Sequence, residues 1–188
     1  MMGELPTAAL QANPRELAAR LQSRLPVEGT EECLEELRKV VSCRYSFLRM
    51  PILRPAENTL DLGFGSFESK NLTKNLTGCE EAFLFAVTLG VGVDRLLTRL
   101  SALSPARHFI TDALASALAE AACEEAEQRI KGELCCAPRF SPGYGDVSLE
   151  LQAPLLNLLQ GQKLGITLNQ NLLMVPTKSI TAIMGIKQ

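Results

Sequence analysis

Only one histidine, His108, occurs among the 188 residues, and no two cysteines are spaced as C-x-x-C. A tetrahedral zinc site draws on several such ligands at close spacing, so no resident metal is expected. Charge of one sign is not in surplus either: 19 Lys and Arg face 21 Asp and Glu, a formal net charge of -2. Gripping a phosphate backbone takes a clustered cationic surplus, and here the bases are interleaved with acids, which excludes nucleic acid as a partner. Long hydrophobic runs are also missing. The longest weakly polar run, Phe83 to Val93, falls far short of the roughly 20 residues that span a bilayer. Met1 to Asn13 carries no basic start, apolar stretch or small-residue cleavage pattern of an export signal. The reading is a cytoplasmic protein with no membrane partner. In that setting Cys33, Cys43, Cys79, Cys123, Cys135 and Cys136 are free thiols by default. Reduced thiols are also the favoured reading of the adjacent pair Cys135-Cys136, over a strained vicinal disulfide.

What is present is the balance of a globular chain, 46% hydrophobic and 21% charged, of single-domain length. Residues 14 to 25 place Leu17, Leu21 and Arg24 at helical spacing, with Pro26 and Gly29 as terminators. Thr30 offers an N-cap to a second helix carrying Leu34, Leu37 and Val41. The front end, 1–43, thus reads as a helical segment and 44–188 as an α+β body, the two forming one domain. Two short strands are expected between Arg44 and Phe67, then a short helix capped by Ser69 and stopped by Gly78, then a buried strand over Ala82–Leu89. The clearest helix runs from Asp112 to Ile130. Ser148 begins another, ended by Gly161, with Pro154 marking a kink or a later start near Ala153. Strands are expected over Leu164–Leu168 and Thr177–Ile186. No repeat or low-complexity linker divides the chain, so one α+β domain is the economical architecture.

Three segments invite a functional reading. TLGVGVD, Thr88 to Asp94, lacks the third glycine of a dinucleotide fingerprint and the Gly-Lys-Ser/Thr of a P-loop, so a tight strand-to-helix turn is favoured and no nucleotide is assigned there. Ser116, Glu120 and Glu124 share one helix face, either a solvated stripe, which spacing alone favours, or the wall of a polar pocket. RFSPGYG, Arg139 to Gly145, joins guanidinium donors, a hydroxyl, two glycines, a rigid proline and two rings. Such a loop suits a zwitterionic ligand, with Arg139 on a carboxylate and a ring over a cationic or apolar face; a ligand-free proline-glycine turn remains equally open.

RFSPGYGD, followed about thirty residues on by LLMVPTKSITAIMG, resembles the activation domain of cobalamin-dependent methionine synthase, especially its stand-alone relatives. Arg139, Pro142, Gly143, Tyr144, Met174, Pro176 and Ser179 match the family's Arg-x-x-Pro-Gly-Tyr loop and Met-x-Pro-x-x-Ser strand, and Thr181 stands where a second serine is usual. The resemblance covers roughly residues 110 to 185 well. It implies mixed helices around a twisted, mainly antiparallel sheet. It also implies S-adenosylmethionine bound in an open groove, its methyl group presented to a corrinoid whose cobalamin has oxidised. By carry-over, Arg139 and the backbone around Phe140, Ser141 and Gly143 would hold the methionine portion, and Tyr144 would line the pocket. Glu120 would balance the ammonium or sulfonium, because Ser116 stands where the family has an acid. No catalytic residue is assigned: an activated sulfonium and reduced cobalamin need alignment more than acid–base help. The chain carries no corrinoid module and stops soon after the final strand, so cobalamin is expected on a separate methionine synthase, with a flavodoxin-like electron donor. The alternatives are a non-enzymatic docking subunit and a reactivation partner of another corrinoid methyltransferase.

Overall fold

The structure, a computed structural model, describes residues 1–22 and 27–187. Its centre is a four-stranded antiparallel sheet in the order β1-β2-β5-β8, built from β1 (Met2–Glu4), β2 (Arg44–Pro51), β5 (Cys79–Thr88) and β8 (Ser179–Lys187). The inner strand β5 is buried over nearly all its length because both faces are covered, which is why its sequence does not alternate with polar residues. Phe83, Phe85 and Val87 enter one core, and Ala82, Leu84 and Ala86 enter the other.

Helix α5 (Pro105–Lys131) lies on the first face against β5 and β8. Outside it pack α1 (Pro14–Arg20), α2 (Thr30–Val40) and α4 (Val91–Leu103). Alanines 113, 115, 117, 119, 122 and 126 are all buried, so small residues let α5 approach neighbours on several sides at once. The second face carries the hairpin β3 (Thr59–Asp61) and β4 (Ser66–Glu68), then α3 (Lys70–Asn75). It also carries α6 (Gln152–Leu158), α7 (Gly161–Leu164) and the small hairpin β6 (Thr167–Leu168) and β7 (Met174–Val175). The α+β expectation holds: mixed helices flank an antiparallel sheet in one domain.

Several sequence expectations need correction. The front segment is not purely helical, because Met2–Glu4 adds a strand beside β2. Leu5, Leu10, Cys33, Leu37 and Cys43 also share the core beneath α5. The N-cap of α2 is Gly29, at φ 82°, and Thr30 is the first helical residue, its hydroxyl donating back to Val27 O at 2.6 Å. The first helix spans Pro14–Arg20, and the ends proposed at Arg24 and Pro26 lie outside the described residues. Three strands, not two, form between Arg44 and Glu68. Helix α5 starts at Pro105, where proline at the first turn needs no N–H partner, rather than at Asp112. Gly161 opens α7 instead of closing a helix, and Leu164 belongs to α7, leaving Thr167–Leu168 as the strand. Pro154 sits in the first turn of α6, where the later-start reading places it.

Candidate functional site

The GVGVD segment is a joint. Gly90, at φ 85°, turns β5 into α4, and a Cβ on Gly92 would collide with the Val40 carbonyl of α2. The Asp94 carboxylate then accepts the Thr177 N–H at 2.9 Å and its hydroxyl at 2.8 Å, tying α4 to the entry of β8. The serine of the second motif has a similar bracing part. Ser179 Oγ lies 2.7 Å from Pro176 O and 2.8 Å from Thr88 Oγ1, and Thr88 Oγ1 accepts the Gly90 N–H.

Loop 139–145 is fixed at both ends. Phe140 exchanges main-chain hydrogen bonds with Ile183 of β8, at 2.8 and 2.7 Å. At the far end Asp146 accepts from the Ser69 hydroxyl and from the Lys70 N–H at 2.8 Å, so its carboxylate sits on the first turn of α3. Between them, Tyr144 N–H bonds Ser141 O and Gly143 N–H bonds Val147 O. The Ser69 hydrogen bond, with the N–H groups of Asn71 and Lys70, holds the Asp146 carboxyl below the usual carboxylate range against the opposing pull of burial. A lowered folded-state value means stabilisation that is complete above the ordinary aspartate pKa, about 3.9, and lost as pH falls through the lowered value. Asp146→Asn is therefore expected to melt below the wild type at pH 7. Calorimetric scans at decreasing pH should show that gap start to shrink near pH 4 and then close.

The loop borders a cavity of about 590 Å³, within the usual range for small-molecule sites. Arg139, Phe140, Ser141 and Tyr144 line it, as does Glu120 of α5. Tyr144 is 70% exposed and forms part of the rim. Gly143 does not line it, and the N–H groups of Phe140 and Gly143 are spent on Ile183 and Val147. Among the described residues, the N–H of Ser141 donates to no protein acceptor. Of the three helix-face residues, Glu120 belongs to the pocket wall rather than to a solvated stripe, while Glu124 is exposed. Ser116 is held elsewhere: it accepts from Lys178 Nζ at 2.9 Å, and Lys178 also pairs with Asp112 at 2.7 Å.

The electrostatics of the wall differ from the sequence reading. Arg139 Nη2 donates to Glu120 Oε2 at 2.6 Å and Nη1 to Glu127 Oε2 at 3.0 Å, so its fork is engaged by protein carboxylates two turns apart on α5. Of these three groups Glu120 and Arg139 line the cavity, so its charged wall is one carboxylate paired with one guanidinium, and Glu127 braces Arg139 from outside the lining. Burial pushes the neighbouring Cys123 thiol up to about 12, so it stays protonated and unreactive. All six cysteines are free. Sequence reasoning missed Asn75, Leu149, Gln152, Leu172 and Leu173, which also line the cavity from separate elements. No periodicity or motif in one sequence joins them. Among the described residues no helix is long and apolar enough to cross a membrane.

No protein-family model and no curated protein matches the sequence. Among solved structures, the crystal structure of the MetH reactivation domain bound to AdoHcy superposes with a TM-score of 0.71 at 18% identity, over 98% of this chain and 77% of that one. The architecture is therefore similar to that of the MetH reactivation domain, reached with little shared sequence.

Proposed function

We propose that this chain binds S-adenosylmethionine and serves as an accessory subunit for reductive remethylation of cobalamin on a separate corrinoid-dependent methionine synthase. The observation that carries this reading is the cavity bounded by the RFSPGYG loop, in a fold whose solved neighbour holds AdoHcy, the demethylated form of the same nucleoside. The Glu120 carboxylate in the cavity wall suits a sulfonium or ammonium, and the exposed Tyr144 ring offers a face to the same cation. The reaction asks for alignment of a methyl donor already activated as a sulfonium, so a pre-formed open cavity without an acid–base pair matches the task. Electrons would come from a flavodoxin-like donor.

Tyr144→Ala gives the cleanest test, because the ring is largely exposed and its loss should leave stability within about 0.5 kcal/mol. The variant is expected to bind S-adenosylmethionine about two- to fivefold more weakly by calorimetry, the worth of an exposed cation–aromatic contact. Mixing wild-type protein, S-adenosylmethionine and a reductant with an inactive cob(II) methionine synthase should restore turnover. No recovery would remove the reactivation role.

A second reading, a docking subunit without ligand binding, draws on the engagement of Arg139 by two carboxylates. It expects partner binding unchanged by S-adenosylmethionine.

A further inference from the structure

Two adjacent thiols stand just ahead of the site loop, and the proposed function uses neither. Cys135 is exposed and Cys136 half-buried, whereas Cys33, Cys43, Cys79 and Cys123 retain at most 3% of their exposure. A reagent in solvent therefore meets this pair first. Both residues belong to a short edge segment laid against β8. Lys187 N–H donates to Cys135 O at 2.9 Å, Ala137 N–H donates to Gly185 O at 2.8 Å, and Cys136 stands opposite Ile186 between them. The segment runs on through Arg139 to Phe140, whose hydrogen bonds with Ile183 fix the base of the RFSPGYG loop.

Pairing with β8 keeps the two sulfurs apart, because successive side chains of a strand point to opposite faces. Cys136 packs against the core that contains Ile186, and Cys135 faces solvent on the other side. A disulfide needs Cα atoms about 4.4–6.8 Å apart with converging Cβ atoms, and neighbours joined by a trans peptide offer about 3.8 Å and diverging ones. Closing a ring between them takes the 135–136 peptide out of its extended form, and the hydrogen bonds to β8 on either side of it are lost. An edge segment can leave in this way while β5 and β8 stay paired. Burial pushes the Cys136 thiol above its ordinary range against the pull of the Lys131 ammonium, so the exposed Cys135 is the first to react.

We infer that Cys135 and Cys136 are a thiol–disulfide couple oxidised by the disulfide of a low-molecular-weight thiol, and that the oxidised form releases segment 135–140 from β8. The Cys135 thiolate attacks one sulfur of that disulfide, forming a mixed disulfide and expelling one thiolate. Once the segment lifts, the Cys136 thiolate attacks the Cys135 sulfur and expels the second. The two protein protons pass to the departing thiolates, so two protein thiols are oxidised to one bridge and one small disulfide is reduced to two thiols. Loss of the pairing frees the base of the loop that carries Arg139, which couples the site to the thiol–disulfide balance around it.

The test treats the wild-type chain and Cys136→Ser with excess oxidised glutathione and follows intact mass, peptide mapping and amide hydrogen exchange. The wild type is expected to end free of glutathione, two hydrogens lighter, with the bridge mapped to Cys135 and Cys136. Exchange at Ala137 and Lys187 should rise at least about tenfold and return to the reduced rate with dithiothreitol. Cys136→Ser should keep one glutathione on Cys135 and its slow exchange. A lasting glutathione adduct on the wild type, a bridge to another cysteine or to a second copy, no reaction, or the expected bridge with unchanged exchange each overturns the inference. Oxidation should also weaken S-adenosylhomocysteine binding, a consequence that rests on the proposed function. Equal binding by both forms overturns the coupling to the site. Failure of the reduced chain to bind removes the proposed function and leaves mass and exchange to decide the couple.

Discussion

Arg139→Ala is expected to abolish measurable S-adenosylmethionine binding and to lower stability by about 1–3 kcal/mol. Removing the guanidinium leaves Glu120 and Glu127 on one face of α5 with no cation between them. Breaking a fully buried ion pair costs about 3–5 kcal/mol. Here the side chains of Arg139, Glu120 and Glu127 retain 28%, 34% and 18% of their exposure, so water screens part of the loss and the smaller figure applies. Binding suffers more than stability because Arg139 both lines the cavity and fixes Glu120 in its wall. Arg139→Lys separates the two contributions: an ammonium keeps the charge but cannot span both carboxylates as the planar fork does. It should recover much of the stability and less of the affinity, as denaturant melts and calorimetry would show.

The largest effect on stability is expected from Phe85→Ala, at about 3–5 kcal/mol. Phe85 is fully buried in the inner strand, within the core formed by β5 and α5. Its loss leaves a cavity between the sheet and the helix that carries Glu120 and Glu127. For a chain of this length the cost corresponds to a fall in melting temperature of roughly 6–20 °C. The variant should still bind nucleoside when cooled well below its transition, because no cavity-lining group is removed. Loss of binding in a fully folded Phe85→Ala protein would mean that the position of α5, and not only the groups along it, sets the site.

These expectations rest on features of unequal legibility in the sequence. Ser69, Gly78 and the unbroken apolar strand Ala82–Leu89 are local signals, and the structure places a cap, a left-handed glycine at φ 75° and a buried strand there. The RFSPGYG loop was legible as unusual chemistry because its residues are contiguous. The partners of Arg139 were not. Glu120 and Glu127 look like solvated helix acids until the chain brings Arg139 back against α5, a tertiary event with no local signature. The strand Met2–Glu4 lacks an alternating pattern and exists because β2 offers an edge to pair with. Helix α5 extends past its clearest periodicity because Ser104 and Pro105 start it, and neighbours on several sides make its apolar positions wrap much of its circumference. The rest of the cavity lining was equally hidden. Asn75 and Gln152 come from separate elements, α3 and α6, and reach the cavity only in the folded chain.

Calorimetric titration of S-adenosylmethionine into the purified chain, with thermal unfolding followed alongside, tests the central claim most directly. The account predicts saturable binding at one site and a rise in stability with ligand, about 2.7 kcal/mol at a hundredfold excess over Kd. No heat of binding and an unchanged melting temperature at millimolar ligand would contradict it.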